Sequence, residues 1–201
     1  MSDVAAGAAP VSDVAAGAAP VSDVAAGAAP ASECSGVLHI TFICSGNICR
    51  SPMAEKMFAH QLSERGLADA VRVTSAGTGG WHAGEPADRR ASHVLREHGY
   101  PTAHSAAQID DDHLSADLVI ALGRNHVRIL KDLGVEDDRI RMLRSFDPRS
   151  GAHALDVEDP YYGGHDDFED VYTVIDASLP GLHQWVDEQL TGRGIRELDR
   201  R

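Results

Sequence analysis

The chain has 201 residues and a formal net charge of −13 at pH 7, from 18 Lys and Arg against 31 Asp and Glu. This acidic balance, without a cluster of basic residues, argues against nucleic acid as a partner, because binding to a phosphate backbone needs a basic face. No apolar run approaches the roughly 18 residues of a membrane span, so we expect no membrane partner either.

The first thirty residues repeat one decapeptide three times, Ser-Asp-Val-Ala-Ala-Gly-Ala-Ala-Pro after the first residue of each unit. Gly and Pro in every unit interrupt a helix, and the period is too short for helical solenoid repeats. A basic segment and a long apolar core, which mark a secretory signal, are both missing from it. We therefore predict a disordered Ala/Gly/Pro leader over 1–35, one domain over 36–191 and a flexible tail over 192–201.

A strand signal, a short loop and a helix signal open the domain. Residues 37–43 are rich in β-branched side chains and short enough to form a buried strand. Ser51 and Pro52 predict a helix start, with Ser as the cap and Pro at the first helical position. The loop between them therefore ends at a helix N-terminus, where free N–H groups and the positive end of the dipole favour an anion such as phosphate. The Ser51 hydroxyl can either cap this helix or donate to the sulfur of Cys44.

This loop begins with a thiol and ends with a guanidinium. A free cysteine thiol has a pKa near 8.5, which falls to about 3.5–7.5 beside a helix N-terminus and an arginine. We therefore predict that Cys44 is a thiolate nucleophile and that Arg50 binds two phosphate oxygens at once. Gly46 allows a close backbone approach or a positive φ, and Asn47 tolerates the left-handed region and can brace the loop. A cysteine that only packs behind a strand is the ordinary alternative.

Strand and helix signals alternate along the rest of the domain. The predicted strands are 71–75, 117–122 and 139–143, and the predicted helices are 88–98, 125–133 and a long last helix that is interrupted or kinked at Pro180. This alternation predicts an α/β fold, a three-layer sandwich with a central four-stranded parallel sheet that opens with a strand–phosphate loop–helix unit. In such sheets ligands bind beyond the carboxyl ends of the strands.

Cleavage of a phosphate ester also needs a proton donor for the leaving oxygen. Asp159 is one candidate, because it lies beside other acidic residues, which disfavour the charged form of a carboxyl group, and is followed by two tyrosines. Asp147 is also followed by Pro, but Arg149 nearby favours its charged form. Substrate recognition is predicted for Trp81, Tyr161 and Tyr162, whose rings can stack on a phenyl group that a phosphoserine lacks. For Trp81, core packing is the alternative.

Three segments, at 42–55, 74–88 and 159–163, resemble the low-molecular-weight protein tyrosine phosphatase family, and most of all its actinobacterial members. The resemblance implies hydrolysis of phosphotyrosine in proteins and of aryl phosphates through a phosphocysteine, with Asp159 as general acid and then base. It implies no metal and no cofactor, and the spacing of the 11 His residues suggests no metal site. The residues it implies are the catalytic Cys44, Arg50 and Asp159, the substrate-binding Ser45, Gly46, Asn47, Ile48, Cys49, Trp81, Tyr161 and Tyr162, and the supporting Ser51 and His104.

Two other functions would share part of this set of residues. A thiol-dependent arsenate reductase needs two further downstream cysteines, and none follows Cys49. A non-catalytic phosphotyrosine-binding module would need neither Cys44 nor Asp159, and both are present. We expect tyrosine-phosphorylated proteins as partners, inorganic phosphate as product, and a signalling role in the reducing cytoplasm; the sequence leaves the oligomeric state open.

Two residues raise further expectations. Under oxidant Cys49 can form a disulfide with Cys44 that protects the nucleophile, although a cysteine that packs behind the loop is an equal alternative. Gly123 stands where the family usually has Asp, so a hydrogen bond that helps to fix the active-site loops is expected to be missing.

Overall fold

The computed structural model of the chain describes residues 36–151 and 154–193. The predicted leader and residues 194–201 of the predicted tail lie outside this part of the chain. One parallel sheet in the order β2-β1-β3-β4 forms its centre, as predicted. Its strands are β1 (Leu38–Cys44), β2 (Val71–Gly77), β3 (Leu118–Ala121) and β4 (Ile140–Met142).

Helices follow each of these strands. They are α1 (Arg50–Glu64), α2 (Arg89–Glu97), the short α3 (Asp111–Leu114), α4 (Arg124–Asp132) and α5 (His165–Gly192), with 3₁₀ turns at Leu143–Phe146 and Pro160–Tyr162. Helix α3 was not predicted, because its single turn is too short to show the helical spacing of apolar residues. None of the helices in the described ranges is both long enough and apolar enough to cross a membrane.

The long helix α5 continues through Pro180, so the first of the two predicted outcomes, an interruption, is wrong, and a kink there stays a prediction. A proline inside a helix removes one backbone hydrogen bond and costs about 3 kcal/mol. Leu179 and Leu182, on either side of it, are both buried against the core. Full burial of a leucine contributes about 1.5–3 kcal/mol, so the two together offset the cost of the proline.

Alternate residues of β1 face two separate apolar cores. Phe42 packs with α1, α2 and α5 on one face of the sheet, and its ring meets that of Phe58 edge to face at 6.0 Å between centroids. Ile43 points to the other face and packs with Leu130 of α4 and Leu114 of α3. Helices therefore cover both faces, and the predicted three-layer sandwich is confirmed.

The strand order places a switch point beside β1. The chain passes from β1 to β2 on one side and later returns to form β3 on the other, so loops diverge at the carboxyl ends of β1 and β3. The N–H of Leu122 donates to the carbonyl of Ile43 (3.0 Å), and the N–H of Val157 donates to the carbonyl of Leu122 (2.9 Å). These two bonds bring the segment before Asp159 to the edge where β1 ends.

Gly181 marks the place where α5 crosses the 3₁₀ turn at 143–146. A Cβ at this position would overlap the carbonyl oxygen of Phe146. We expect Gly181→Ala to lower the free energy of unfolding by about 1–3 kcal/mol, the usual range for overpacking, although alanine favours a helix by about 1 kcal/mol over glycine. Urea or thermal unfolding measures this change.

Gly192→Ala is the matched control, because a Cβ at the end of the same helix meets no atom within 4 Å. We expect it to leave stability unchanged or slightly raised. Equal stability of the two variants would contradict the prediction, because it would show that the turn at 143–146 moves away from the added methyl group without loss of stability.

Candidate active site

The loop between β1 and α1 winds around the sulfur of Cys44. The backbone N–H of Asn47 donates to this Sγ at 3.3 Å, and the Ser51 hydroxyl lies 3.0 Å from it. Because Ser51 Oγ already accepts a hydrogen bond from the Asn47 amide (2.9 Å), its own proton is available to the sulfur. Cys44 is only 2 % exposed, so the sulfur forms the floor of the site.

Asn47 holds this loop through every polar atom of its side chain. Its φ of 56° is the one positive φ of a non-glycine residue in the described ranges, as the left-handed tolerance of Asn allows. The amide donates to Ser51 and to Ser75 (2.8 Å), and Oδ1 accepts from the N–H of Ala107 (2.8 Å). His104 Nε2 lies 2.9 Å from the Asn47 carbonyl oxygen, a contact consistent with its expected supporting position.

At two positions the structure decides between alternatives that the sequence left open. Helix α1 begins at Arg50 with Cys49 as its N-cap and without a side-chain cap bond, so Ser51 does not cap the helix and instead faces the Cys44 sulfur. Gly46 is not among the residues of positive φ; it provides close approach, because a Cβ there would lie 3.0 Å from His82 Cδ2.

Arg50 lies almost buried at the other end of the loop, with 7 % exposure. Its Nη1 donates to the carbonyl of Val157 (3.1 Å), and its Nη2 donates to Asp159 Oδ2 (2.6 Å) and to Ser45 Oγ (3.4 Å). Its Nε is buried without an acceptor in the described part of the chain. The two terminal nitrogens of the guanidinium are thus anchored by hydrogen bonds, while the N–H of Nε has no acceptor in this part of the chain.

Asp159 precedes the 3₁₀ turn at 160–162, and its Oδ1 accepts the N–H of Tyr161 (3.3 Å). The side chain is half exposed and reaches Arg50 across the site. The competing Asp147 is engaged elsewhere: hydrogen bonds from the Arg149 side chain and backbone hold the pKa of its carboxyl below the usual value.

A cavity of about 320 Å³ opens above the sulfur. Cys44, Arg50 and Asp159 lie in its wall together with Trp81, Tyr161 and Tyr162. Ser45, Gly46, Ile48 and Cys49 also line it, whereas Asn47, Ser51 and His104 lie behind the loop.

The three aromatic residues lie at the mouth of this cavity. Trp81 is 75 % exposed and Tyr162 is 97 % exposed, which excludes the core-packing alternative for Trp81. The Trp81 ring lies over Gly79, where a Cβ would overlap it, and the rings of Tyr161 and Tyr162 meet edge to face at 5.0 Å. Flat aromatic surfaces beside a buried thiol suit an aryl group whose phosphate points inward.

The comparisons with known proteins agree with this geometry. The family described as low molecular weight phosphotyrosine protein phosphatase matches residues 39–192. The chain belongs to this family. It is 70% identical over 160 residues to low molecular weight protein-tyrosine phosphatase A of Mycobacterium tuberculosis strain H37Rv, covering 80% of this chain and 98% of that protein.

Two further similarities support the assignment. The Streptomyces coelicolor low molecular weight protein-tyrosine-phosphatase is 48% identical over 158 residues, with 77% of this chain and 96% of that one covered. A crystal structure of an Entamoeba histolytica protein tyrosine phosphatase with Hepes in the active site superposes with a TM-score of 0.71 at 27% identity, covering 76% of this chain and 98% of that one. The family resemblance seen in the sequence is thus confirmed.

Cys49, the second cysteine of the loop, is buried beside acidic groups. Burial, followed by the charges of Asp88 and Cys44, raises the pKa of the Cys49 thiol to about 12. Cys49 is therefore protonated at neutral pH. Both cysteines are buried free thiols in the structure.

Two histidines near the site were missed by the sequence analysis. His82 lines the cavity and pairs with Glu85 (2.7 Å), and it could have been inferred from its place next to Trp81. His126 is fully buried at the start of α4, with Nε2 3.0 Å from Ser45 Oγ. Burial, followed by the charge of Arg50, lowers the pKa of His126 to about 4, so the ring is neutral at pH 7.

Gly123 lies beside this second histidine, and the effect expected of it stays a prediction. His126 Nδ1 is buried without a partner in the described ranges, and a Cβ at Gly123 would lie 3.5 Å from it. Asp156 accepts the N–H of Arg124 (2.6 Å) at the start of α4, where Gly123 is the N-cap. Asp156, from the loop that leads to Asp159, thus caps the start of α4, while Nδ1 of His126 has no hydrogen bond in the described ranges.

The three bonds of the Asn47 side chain lead to a prediction. Asn47→Ala leaves the partly buried N–H of Ala107 without its acceptor, removes the amide donors to Ser51 and Ser75, and places alanine at a positive φ, so we expect a loss of about 3 kcal/mol in the free energy of unfolding. Asn47→Gly removes the backbone strain and should recover only part of this loss. Asn125→Ala, an exposed Asn in α4, is the control.

Denaturant unfolding of the three variants measures these differences. If Asn47→Gly were as stable as the parent, the side-chain bonds would not hold the loop.

Proposed function

We propose that this protein hydrolyses phosphotyrosine in proteins, and aryl phosphates, through a phosphocysteine intermediate. The observation that carries the proposal is the single cavity wall that contains the Cys44 sulfur, the Arg50 guanidinium and the Asp159 carboxyl group below an aromatic mouth. Family membership supports the same reaction.

In the first step Cys44, as a thiolate, attacks phosphorus in line, and the bond from phosphorus to the tyrosyl oxygen breaks. Asp159 gives its proton to that oxygen. In the second step Asp159 takes a proton from water, which attacks the phosphocysteine and releases inorganic phosphate and the thiolate. Arg50 and the loop amides hold the three equatorial oxygens in both steps.

The loop has the donors that this role requires. The backbone N–H groups of Gly46, Ile48 and Cys49 have no protein acceptor among residues 36–151 and 154–193. They lie where α1 begins, and the positive end of the helix dipole adds to them. A phosphoryl group above the sulfur would receive these hydrogen bonds together with those of Arg50.

We further propose that the substrates are tyrosine-phosphorylated proteins and that the setting is a signalling role in the cytoplasm. The reach from the aromatic mouth to the buried sulfur favours a phenyl ester over the shorter ester of phosphoserine. The arsenate reductase alternative is not favoured, since no cysteine follows Cys49. Release of phosphate from an aryl phosphate distinguishes a hydrolase from a module that only binds phosphotyrosine.

The two Asp-Pro sites allow a matched test of the general acid. We expect Asp159→Asn to lower kcat on a phosphotyrosine peptide by about 10²–10⁴, the usual contribution of a general acid. Asp147→Asn is the control and should leave kcat unchanged. Equal losses in the two variants would contradict the role of Asp159.

Cys44→Ser tests the nucleophile in the same assay. It should bind the phosphotyrosine peptide and turn nothing over, whereas measurable hydrolysis by this variant would overturn the phosphocysteine step.

We also propose that Cys49 protects the nucleophile against peroxide. Hydrogen peroxide oxidises the Cys44 thiolate to a sulfenic acid and is itself reduced to hydroxide. The Cys49 sulfur then displaces the sulfenic hydroxyl group, which leaves with the Cys49 proton as water, and a disulfide forms. The high pKa of Cys49 keeps this thiol protonated and idle until then.

Recovery by thiol after peroxide treatment tests this role. The parent and Cys34→Ser, the control, should regain most of their activity, because the disulfide is reducible. Cys49→Ser should recover much less, since its sulfenic acid continues to sulfinic acid. Full recovery of Cys49→Ser would contradict the protective role.

A further inference from the structure

Two His–Glu pairs face each other where α2 packs beside the first turns of α5. On α2, His93 and Glu97 lie four residues apart, with 3.5 Å between Nε2 and Oε1. On α5, His165 and Glu169 have the same spacing, with 3.7 Å between Nε2 and Oε1. Residues four apart share one helix face, so each pair presents its imidazole and its carboxylate together.

The two pairs meet around the Glu97 carboxylate. Its Oε1 lies 3.5 Å from His93 Nε2, and its Oε2 lies 3.7 Å from His165 Nε2. Ligand atoms of these three residues all lie within 4.8 Å of one another, and the two imidazole rings are 5.5 Å apart between centroids. Ordinary ion pairing explains each pair on its own helix, but it does not require the two imidazoles to converge on one carboxylate.

These separations match a metal coordination sphere. Zinc binds imidazole nitrogen and carboxylate oxygen at about 2.0–2.2 Å in a tetrahedron, so neighbouring ligand atoms are about 3.3–3.6 Å apart. The observed 3.5 and 3.7 Å, measured to the two oxygens of Glu97, are close to this spacing, and side-chain rotations can bring the ligand atoms, all within 4.8 Å of one another, to a single metal ion. Imidazole combined with carboxylate is a ligand set for zinc and the neighbouring divalent transition metals.

We propose that His93, Glu97 and His165 form a surface binding site for a divalent transition metal of the zinc class. A water molecule completes the tetrahedron on the solvent side. Glu169 Oε1 lies 3.7 Å from the same Nε2 of His165, so this carboxylate pairs with the ring while no metal is bound. Its Oε2 lies 2.9 Å from His98 Nε2.

The bound metal joins two helices that lead to the active site. Arg90 of α2 already donates to the carbonyls of Gly163 (2.8 Å) and Tyr161 (3.0 Å), in the segment that carries the aromatic mouth. His93 lies one turn further along α2, and His165 begins α5 just after that segment. The metal therefore adds a second link between α2 and the end of the loop that contains Tyr161.

Zinc titration of the full chain in the Cys44→Ser background tests the site, because this substitution removes the active-site thiolate as a competing ligand. Isothermal titration calorimetry with Zn²⁺ alone should show binding that His93→Ala and His165→Ala each weaken by at least about tenfold, since loss of an outer partner alone costs this much. Glu97→Gln should weaken it as well. All three residues are exposed, and the metal-free variants should unfold at the parent temperature.

His60→Ala is the matched control. His60 and Glu64 form the same four-residue pair on α1 at 3.6 Å, and they are not part of the three-residue cluster. It should bind Zn²⁺ like the parent.

Thermal unfolding gives a second readout. Zn²⁺ at a hundredfold excess over its Kd should raise the Tm of the parent and of His60→Ala by about 5 °C. At the same Zn²⁺ concentration the Tm of His93→Ala or His165→Ala should rise by about half as much or less. The proposal is wrong if the parent binds no Zn²⁺, or if the His93 and His165 variants bind it as tightly as the parent does.

Discussion

The conformation of the phosphate loop depends on the buried amide of Asn47. This one side chain bonds to Ser51 on α1, to Ser75 on β2 and to the backbone of Ala107, so it joins three segments that are distant in sequence. With all its polar atoms used, the residue remains in the left-handed region that turns the backbone N–H toward the Cys44 sulfur. Buried polar groups that are fully satisfied select one conformation, and here that conformation surrounds the nucleophile with donors.

The rest of the site is assembled by the order of the strands. Because β1 lies between β2 and β3, the loops that follow β1 and β3 open at one edge, and the backbone of Val157 is bonded there both to Leu122 and to Arg50. The side chain of Asp159 is thereby held 2.6 Å from the guanidinium of Arg50 in the structure without substrate. A site whose charges are already oriented needs little reorganisation during the reaction.

Much of this fold and of its catalytic loop could be predicted, because the signals are local. Strand, loop and helix lie within one short stretch, and Cys44 and Arg50 are six residues apart. Other details were left open by local signals or predicted wrongly from them. Ser51 could cap the helix or face the sulfur, and it faces the sulfur. Helix α5 is not interrupted at Pro180, because burial on both sides of this residue outweighs one lost hydrogen bond.

The sequence by itself predicted the loop that holds Cys44 and Arg50 and the alternating α/β pattern, since these depend on neighbouring residues. Only the tertiary structure decided which groups meet them. Asp159 reaches Arg50 across 109 positions, His126 reaches Ser45 across 81, and His165 joins a pair on α2. Such contacts depend on how the helices pack on the sheet and on the order of its strands. Neither can be predicted from the spacing of residues along the chain.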